Sequence, residues 1–167
     1  VPEEYHIPTD YESHFEYQGT NSIVKEYGDS LEKFFLTEIL NEHVVSVSEN
    51  ILEIDSEIVG IFPLTDEVIF SSHNVFHVDR TSKKYVGFED LYYAFPINVE
   101  KKDYKFNHPL MVQYPIQSVT LNFVGTDTIK KLETYVFSCS YTSDRTAYFP
   151  QFSEYKVQGD SHCMFWV

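Results

Sequence analysis

The sequence predicts an all-β fold, mainly antiparallel, built as a sandwich or as an open or half barrel with at most one or two short helices. Tyr (13 residues) and Phe (14 residues) supply most of the apolar mass, and aromatic side chains favour strands and bury large areas. Apolar and polar residues alternate along roughly ten short segments, which turn residues close at a spacing of about 8–12 residues. Strands repeated at this spacing are typical of β-sandwiches and barrels.

The elements follow from this alternation in chain order. Residues 10–18 predict a half-buried strand, the turn residues 19–21 follow it, and 22–27 form the return strand of a hairpin. Residues 30–41 fit either a helix capped by Ser30 or a strand, and the strands on both sides favour a strand. Turns are predicted at 125–127 and 130–131, and further strands at 43–47, 51–59, 67–80, 85–88, 103–106, 118–124, 133–141 and 161–167.

Length and charge limit the domain organisation and the partners. We expect one β-rich domain spanning residues 1–167, a length that holds a single core. The formal net charge of −14 argues against nucleic acid and anionic lipid as partners. The chain starts at Val1 and stops within an apolar strand pattern. Its sequence contains no apolar run of about 18 residues that could span a membrane. We therefore expect a fragment of a longer protein, which reaches the membrane only through segments missing from this chain.

Cys139 and Cys163 are the two cysteines of the chain and form a candidate disulfide. An extracytoplasmic setting favours a bridge between them, whereas the cytosol favours two buried thiols. A bridge would close a loop of about 25 residues and stabilise the fold by roughly 3–4 kcal/mol in the chain-entropy model. The sequence leaves both states open.

Motifs for catalysis or metal binding are weak. The chain holds no G-x-S-x-G elbow, no Gly-rich phosphate loop and no H-E-x-x-H helix, so we expect neither an enzyme nor a cofactor. His73, His77 and Asp79 share one strand face, and such residues bind zinc or copper. Alternate residues of a strand lie about 7 Å apart, too far for one metal without a second strand. We interpret them as surface residues and predict no metal site.

The aromatic residues between positions 85 and 106 are the only candidate ligand surface. Tyr92, Tyr93, Phe95 and Tyr104 predict a groove that binds an apolar small molecule. The alternative is that these rings form the ordinary core of a curved sheet.

Short motifs in a fixed order resemble the PorA-type (porin-A-like) family. These motifs are VDRT (78–81), FP (95–96) with VEKKDY (99–104), FVG (123–125) and LETYVF (132–137), with PLT (63–65) and EVI (67–69) upstream. The similarity covers residues 54–167, and the first fifty residues match less well.

The resemblance implies a location and a general role. Proteins of this family are membrane-anchored extracytoplasmic proteins of actinobacteria and archaea with a β-rich domain outside the membrane, and the family supplies no catalytic residues. We therefore expect an extracytoplasmic, cell-surface domain of a membrane-anchored archaeal protein that binds a ligand or acts as a sensor. The alternative is a structural module of the cell envelope that binds another envelope protein and has no small ligand.

Overall fold

Ten β-strands form a single sheet in the computed structural model, which describes residues 2–24, 30–107, 118–150 and 154–167. The prediction of an all-β, mainly antiparallel fold is confirmed, and the strands of the curled sheet pair in a closed ring. Two 3₁₀ turns, Glu3–Tyr5 and Thr146–Tyr148, accompany the strands within the described residues. The strands are β1 (Glu12–Val24), β2 (Ser30–Ser48), β3 (Ile51–Phe62), β4 (Glu67–Asp79), β5 (Lys84–Tyr85), β6 (Leu91–Tyr92), β7 (Tyr104–Asn107), β8 (Ser118–Ile129), β9 (Leu132–Asp144) and β10 (Lys156–Trp166).

Strand order follows chain order, and β10 returns to pair with β1. All pairs are antiparallel except β6 with β7. The shortest strand pairing in the ring is between β5 and β6. Each of these strands has two residues, and they are joined by the single pair of Lys84 and Tyr92. This thin seam joins two broader parts of the curled sheet. The described part of the chain contains no helix that could span a membrane.

Segment 30–41 is a strand, as the flanking pattern favoured. It belongs to β2, which pairs with β1 on one side and β3 on the other. Leu36, Glu38 and Leu40 are buried at every second position, the period of a strand and not of a helix. The helical interpretation is therefore wrong, and neighbouring strands decide the conformation because they bury this alternating face.

Two predicted turns are wrong. Residues 19–21 lie inside β1, where they pair with residues 34–36 of β2, so the return strand predicted at 22–27 is in fact the end of β1 at 22–24, and residues 25–27 lie outside the described residues. Residues 125–127 lie inside β8, because an irregularity between Phe123 and Gly125 accommodates an extra residue without ending the strand. The turn is formed by Lys130 and Lys131 alone, both with positive φ.

Buried side chains form three clusters. The first cluster joins β2, β3, β4 and β10 with the residue that follows the 3₁₀ turn Thr146–Tyr148. The second cluster lies near the 3₁₀ turn Glu3–Tyr5 and the β5–β6 seam, and the third lies at β7–β9. The first contains Leu36, Leu40, Ile58, Phe70, Phe149 and Val157, the second Ile7, Leu52, Ile54, Val78, Tyr85 and Leu91, and the third Tyr104, Leu121, Phe137 and Cys139.

Candidate functional site

The four aromatic residues predicted to bind a ligand divide between two clusters. Tyr92, Phe95 and Tyr104 pack against the third cluster, and the ring centroids of Tyr104 lie 5.3 Å from Tyr92 and 5.7 Å from Phe95. Tyr93 packs against the second cluster, 5.8 Å from Tyr85. Successive residues at a strand end point in different directions, so Tyr92 and Tyr93 do not share a surface. Their role in binding an apolar ligand stays a prediction.

Two other members of the aromatic stretch, Tyr85 and Phe88, border a hollow of about 150 Å³ beside β4. None of the four predicted residues lines this hollow. Its volume is about half of the roughly 300 Å³ at which pockets for drug-sized ligands begin. The hollow is therefore too small for the apolar ligand that the sequence suggests.

Tyr93 instead takes part in a polar contact inside the sheet. Its hydroxyl donates a hydrogen bond to Glu42 Oε2 at 2.7 Å, and the Ser56 hydroxyl donates to Glu42 Oε1 at 3.0 Å. Burial raises the pKa of Glu42, and the two hydrogen bonds partly oppose this shift. Burial and the nearby Glu42 charge also raise the pKa of Tyr93. Glu42 is not among the site residues predicted from the sequence, although it lies two positions after Leu40 on the buried face of β2.

A buried ion pair joins β2 to the residue that follows β9. The Arg145 guanidinium binds the Glu38 carboxylate, and both side chains are almost fully buried. The guanidinium also lies over the rings of Phe70 and Tyr148, at 5.2 and 5.7 Å from their centroids. Burial raises the pKa of Glu38, and the charge of Arg145 opposes the rise. The pair anchors the end of β9 to the opposite part of the sheet.

Exposed histidines on β2 and β4 face carboxylates on β3, the strand between them. His73 Nε2 contacts Asp55 Oδ1, His43 Nε2 lies 3.9 Å from Asp55 Oδ2, and His77 Nε2 lies 3.4 Å from Glu53. The second strand that a metal site requires is therefore present. Even so, the described residues contain no group of three His, Cys, Asp or Glu side chains that could hold a metal ion.

Cys139 and Cys163 form a disulfide between β9 and β10. They are directly opposite in the strand register, and their Cα atoms are 5.1 Å apart, within the range that a disulfide requires. The sequence left open whether the two cysteines form a disulfide or stay as thiols, and the pairing of β9 with β10 brings them together as a disulfide. The bridge fixes β9 to β10 at the position where β9 separates from β8.

A polar cleft opens where β8 and β9 separate. Their pairing extends from Ile129–Leu132 to Asn122–Ser138 and does not continue beyond it. From there residues 118–121 pair with β7 and residues 139–144 with β10. The cleft has a volume of about 300 Å³ and is lined by Ser118, Val119, Thr120, Asn122, Ser140, Tyr141, Thr142 and Ser143. We call this site the β8–β9 cleft.

The chemistry of the β8–β9 cleft suits binding. Its lining consists of hydroxyl, amide and apolar side chains. The hydroxyl and amide groups donate and accept hydrogen bonds without a net charge. It contains no carboxylate, imidazole or amine to act as an acid or base. This site is not among those predicted from the sequence, because the pattern of its residues is that of two ordinary strands.

Comparison with known proteins adds no family. No family model matches the chain, and no curated protein matches it. Membership of the PorA-type family therefore stays a prediction.

Proposed function

We propose that this chain is the extracytoplasmic, non-catalytic domain of a membrane-anchored protein and binds a polar ligand in the β8–β9 cleft, in a ligand-binding or sensory role. The observation that carries the proposal is the cleft itself, about 300 Å³ of space lined without charged side chains. This volume is at the lower end of ligand pockets. The lining favours a neutral ligand that hydrogen-bonds over a charged or purely apolar one.

The disulfide supports the location outside the cytoplasm. Disulfides persist in oxidising compartments and are rare in the cytosol, and Cys139 is bonded to Cys163. The anchoring to a membrane rests on the resemblance to the PorA-type family alone. Archaeal origin rests on the same resemblance.

Native mass spectrometry without reducing agent tests the proposal. The protein is incubated with the low-molecular-mass fraction of a cell-envelope extract, as wild type and as two variants. Thr120→Phe places a bulky ring at the border of the cleft, and Thr126→Phe is the matched control, because both are exposed threonines of β8 and only Thr120 lines the cleft. We expect added mass on the wild type and on T126F, and none on T120F. Added mass that persists on T120F would contradict the assignment of the cleft.

A second function, an envelope interaction module without a small ligand, is favoured by exposed apolar side chains in the middle of β8 and at the end of β10. Met164 and Trp166 lie two positions apart on β10, so they share one face, and both are 46 % exposed. Val124, at the irregularity in β8, is 55 % exposed. Exposed apolar residues are found at protein-binding surfaces where they form a patch. A wild-type mass with nothing bound would favour this function over ligand binding.

A further inference from the structure

We infer that the β8–β9 cleft binds the end of an extended polypeptide, which enters between β8 and β9 as a short additional strand. The inference rests on the proposed function, because it names the ligand class of the same cleft. Its basis is the direction of the backbone groups on the two strands that border the cleft.

On β9, the even-numbered residues direct their backbone towards the cleft. Tyr135 and Val167 exchange both backbone hydrogen bonds, at 2.9 and 3.0 Å, so they are a hydrogen-bonded pair of the β9–β10 ladder. Such pairs alternate along an antiparallel ladder, and this ladder has no irregularity from Val136 to Asp144. Odd-numbered residues of β9 therefore bond to β10. The N–H and C=O groups of Ser140 and Thr142 point the other way, towards β8.

On β8, the same alternation directs Ser118 and Thr120 towards the cleft. Ser138 is even-numbered, so its backbone faces β8, where it pairs with Asn122. The backbone of Asn122 thus faces β9, and so do those of Thr120 and Ser118, two and four positions earlier. The pairing of β7 with β8 is regular over these residues. Residues on both sides of the cleft consequently present hydrogen-bonding backbone groups to the same space.

These backbone groups have no ladder partner across the cleft among the described residues. Each one is a donor or an acceptor that an incoming strand can satisfy, as in recognition by β-strand addition. Because β8 and β9 are antiparallel, an inserted strand runs antiparallel to one of them and parallel to the other. The inserted strand forms backbone hydrogen bonds on both sides, whereas a strand added to a single sheet edge forms them on one side only.

The shape of the cleft selects a chain end. The cleft closes at the pair formed by Asn122 and Ser138, where the strands are at ordinary pairing distance, and an inserted strand must stop there. The residues that border it, 118–121, span about 10–13 Å at the rise of a strand. The length of this border matches about three residues, with one end of the peptide at the closed end of the cleft.

Both borders are held in place from behind. β9 is fixed to β10 by a nine-residue ladder and by the disulfide of Cys139, the residue next to Ser140. β8 is paired with β7 through residues 118–121. A cleft with fixed walls lowers the entropy that is lost on binding. Its outward side chains Ser118, Thr120 and Ser140 add hydroxyl groups beside the backbone, whereas the Thr142 hydroxyl donates to Asp160 Oδ1 on β10 at 2.7 Å.

Selection from random heptapeptide libraries tests the inference, with one library displaying free N-termini and the other free C-termini. Peptides enriched on the wild type are synthesised, and their affinities for wild type, T120F and T126F are measured by calorimetry. Each peptide is then N-methylated at one amide at a time. We expect T126F to bind like the wild type, T120F to lose binding, and about three consecutive N-methylations to weaken binding by about tenfold or more each.

The pattern of N-methylation separates the alternatives. If N-methylation weakens binding only at every second amide, the peptide bonds to one strand edge alone. If N-methylation has no effect on affinity, side chains alone bind the peptide. Either result overturns the inference. Failure to enrich any peptide also overturns it. If added mass is then still found on the wild type and T126F but not on T120F, the proposed function stands with another polar ligand class. If no ligand reaches the cleft in either experiment, both proposals fall.

Discussion

Replacing Arg145 by Met tests whether the buried ion pair holds the end of β9 in place. Met keeps much of the apolar contact with Phe70 and Tyr148 but removes the charge, and Glu38 is left fully buried at 0 % exposure. Removing one partner of a buried ion pair costs about 3–5 kcal/mol, because the other charge loses its compensation. A domain of this size has a total stability of about 5–15 kcal/mol. R145M should therefore lose a large part of its free energy of unfolding.

The double variant E38L/R145M isolates the interaction from the packing. Replacing both charges by apolar side chains is often neutral or stabilising, by about 1–4 kcal/mol, so the double variant should be more stable than R145M. Urea unfolding at pH 7, followed by circular dichroism and fluorescence, gives the free energies for the cycle. The matched control is Lys102→Met, which breaks the exposed pair with Glu100 and should change stability by less than about 1 kcal/mol.

Two results would refute this reasoning. The first is a loss below about 1 kcal/mol in R145M, which would mean that the pair is solvated in solution. The second is additivity of the single substitutions R145M and E38L in the double variant, which would mean that the two side chains do not interact. In either case Arg145 would not anchor the end of β9 beside the cleft.

Three further predictions concern stability. Replacing Cys139 and Cys163 by Ser should lower the free energy of unfolding by roughly 3–4 kcal/mol, measured by urea unfolding against the oxidised wild type; an unchanged value would mean that the bridge does not form in solution. The folded-state pKa of Glu42 is raised above its ordinary value of 4.5, so its contribution to stability is lost as the pH rises from 4.5. Glu42→Gln should therefore gain stability relative to the wild type between acidic and neutral pH, whereas the exposed control Glu57→Gln should not, and a pH-independent difference for E42Q would contradict the prediction. A Cβ at Gly60 would overlap the ring of Phe70, so Gly60→Ala should cost about 1–3 kcal/mol, and a thermal midpoint equal to that of the wild type would show that the ring moves aside freely.

The fold class could be predicted because local alternation of apolar and polar residues is itself a property of strands. In β3, acidic residues separate Leu52, Ile54 and Ile58 along the sequence, and all three apolar side chains are fully buried. The turns at 19–21 and 125–127 were wrong for the opposite reason. Their Gly, Thr, Asn and Asp residues favour turns locally, yet pairing with a neighbouring strand carries both segments through without a break.

The polar features of the site were missed because burial of a charged residue depends on its neighbours in space. Glu38 and Glu42 look like solvated acidic residues in the sequence, and only the curl of the sheet brings Arg145 to the first and Tyr93 to the second. The β8–β9 cleft was equally hidden. It arises from the position at which two strands stop pairing, which no single residue encodes.

The sequence by itself determined the strand-rich architecture, the acidic charge and the presence of two cysteines that could pair, because composition and alternation act locally. The tertiary structure decided that Cys139 and Cys163 are bonded, that Tyr92 and Tyr93 belong to different clusters, and that β8 and β9 separate beyond Asn122 and Ser138. These outcomes depend on strand register and on the closure of the sheet. Both join residues far apart in the chain, and a local pattern contains no information about which distant strand becomes its neighbour.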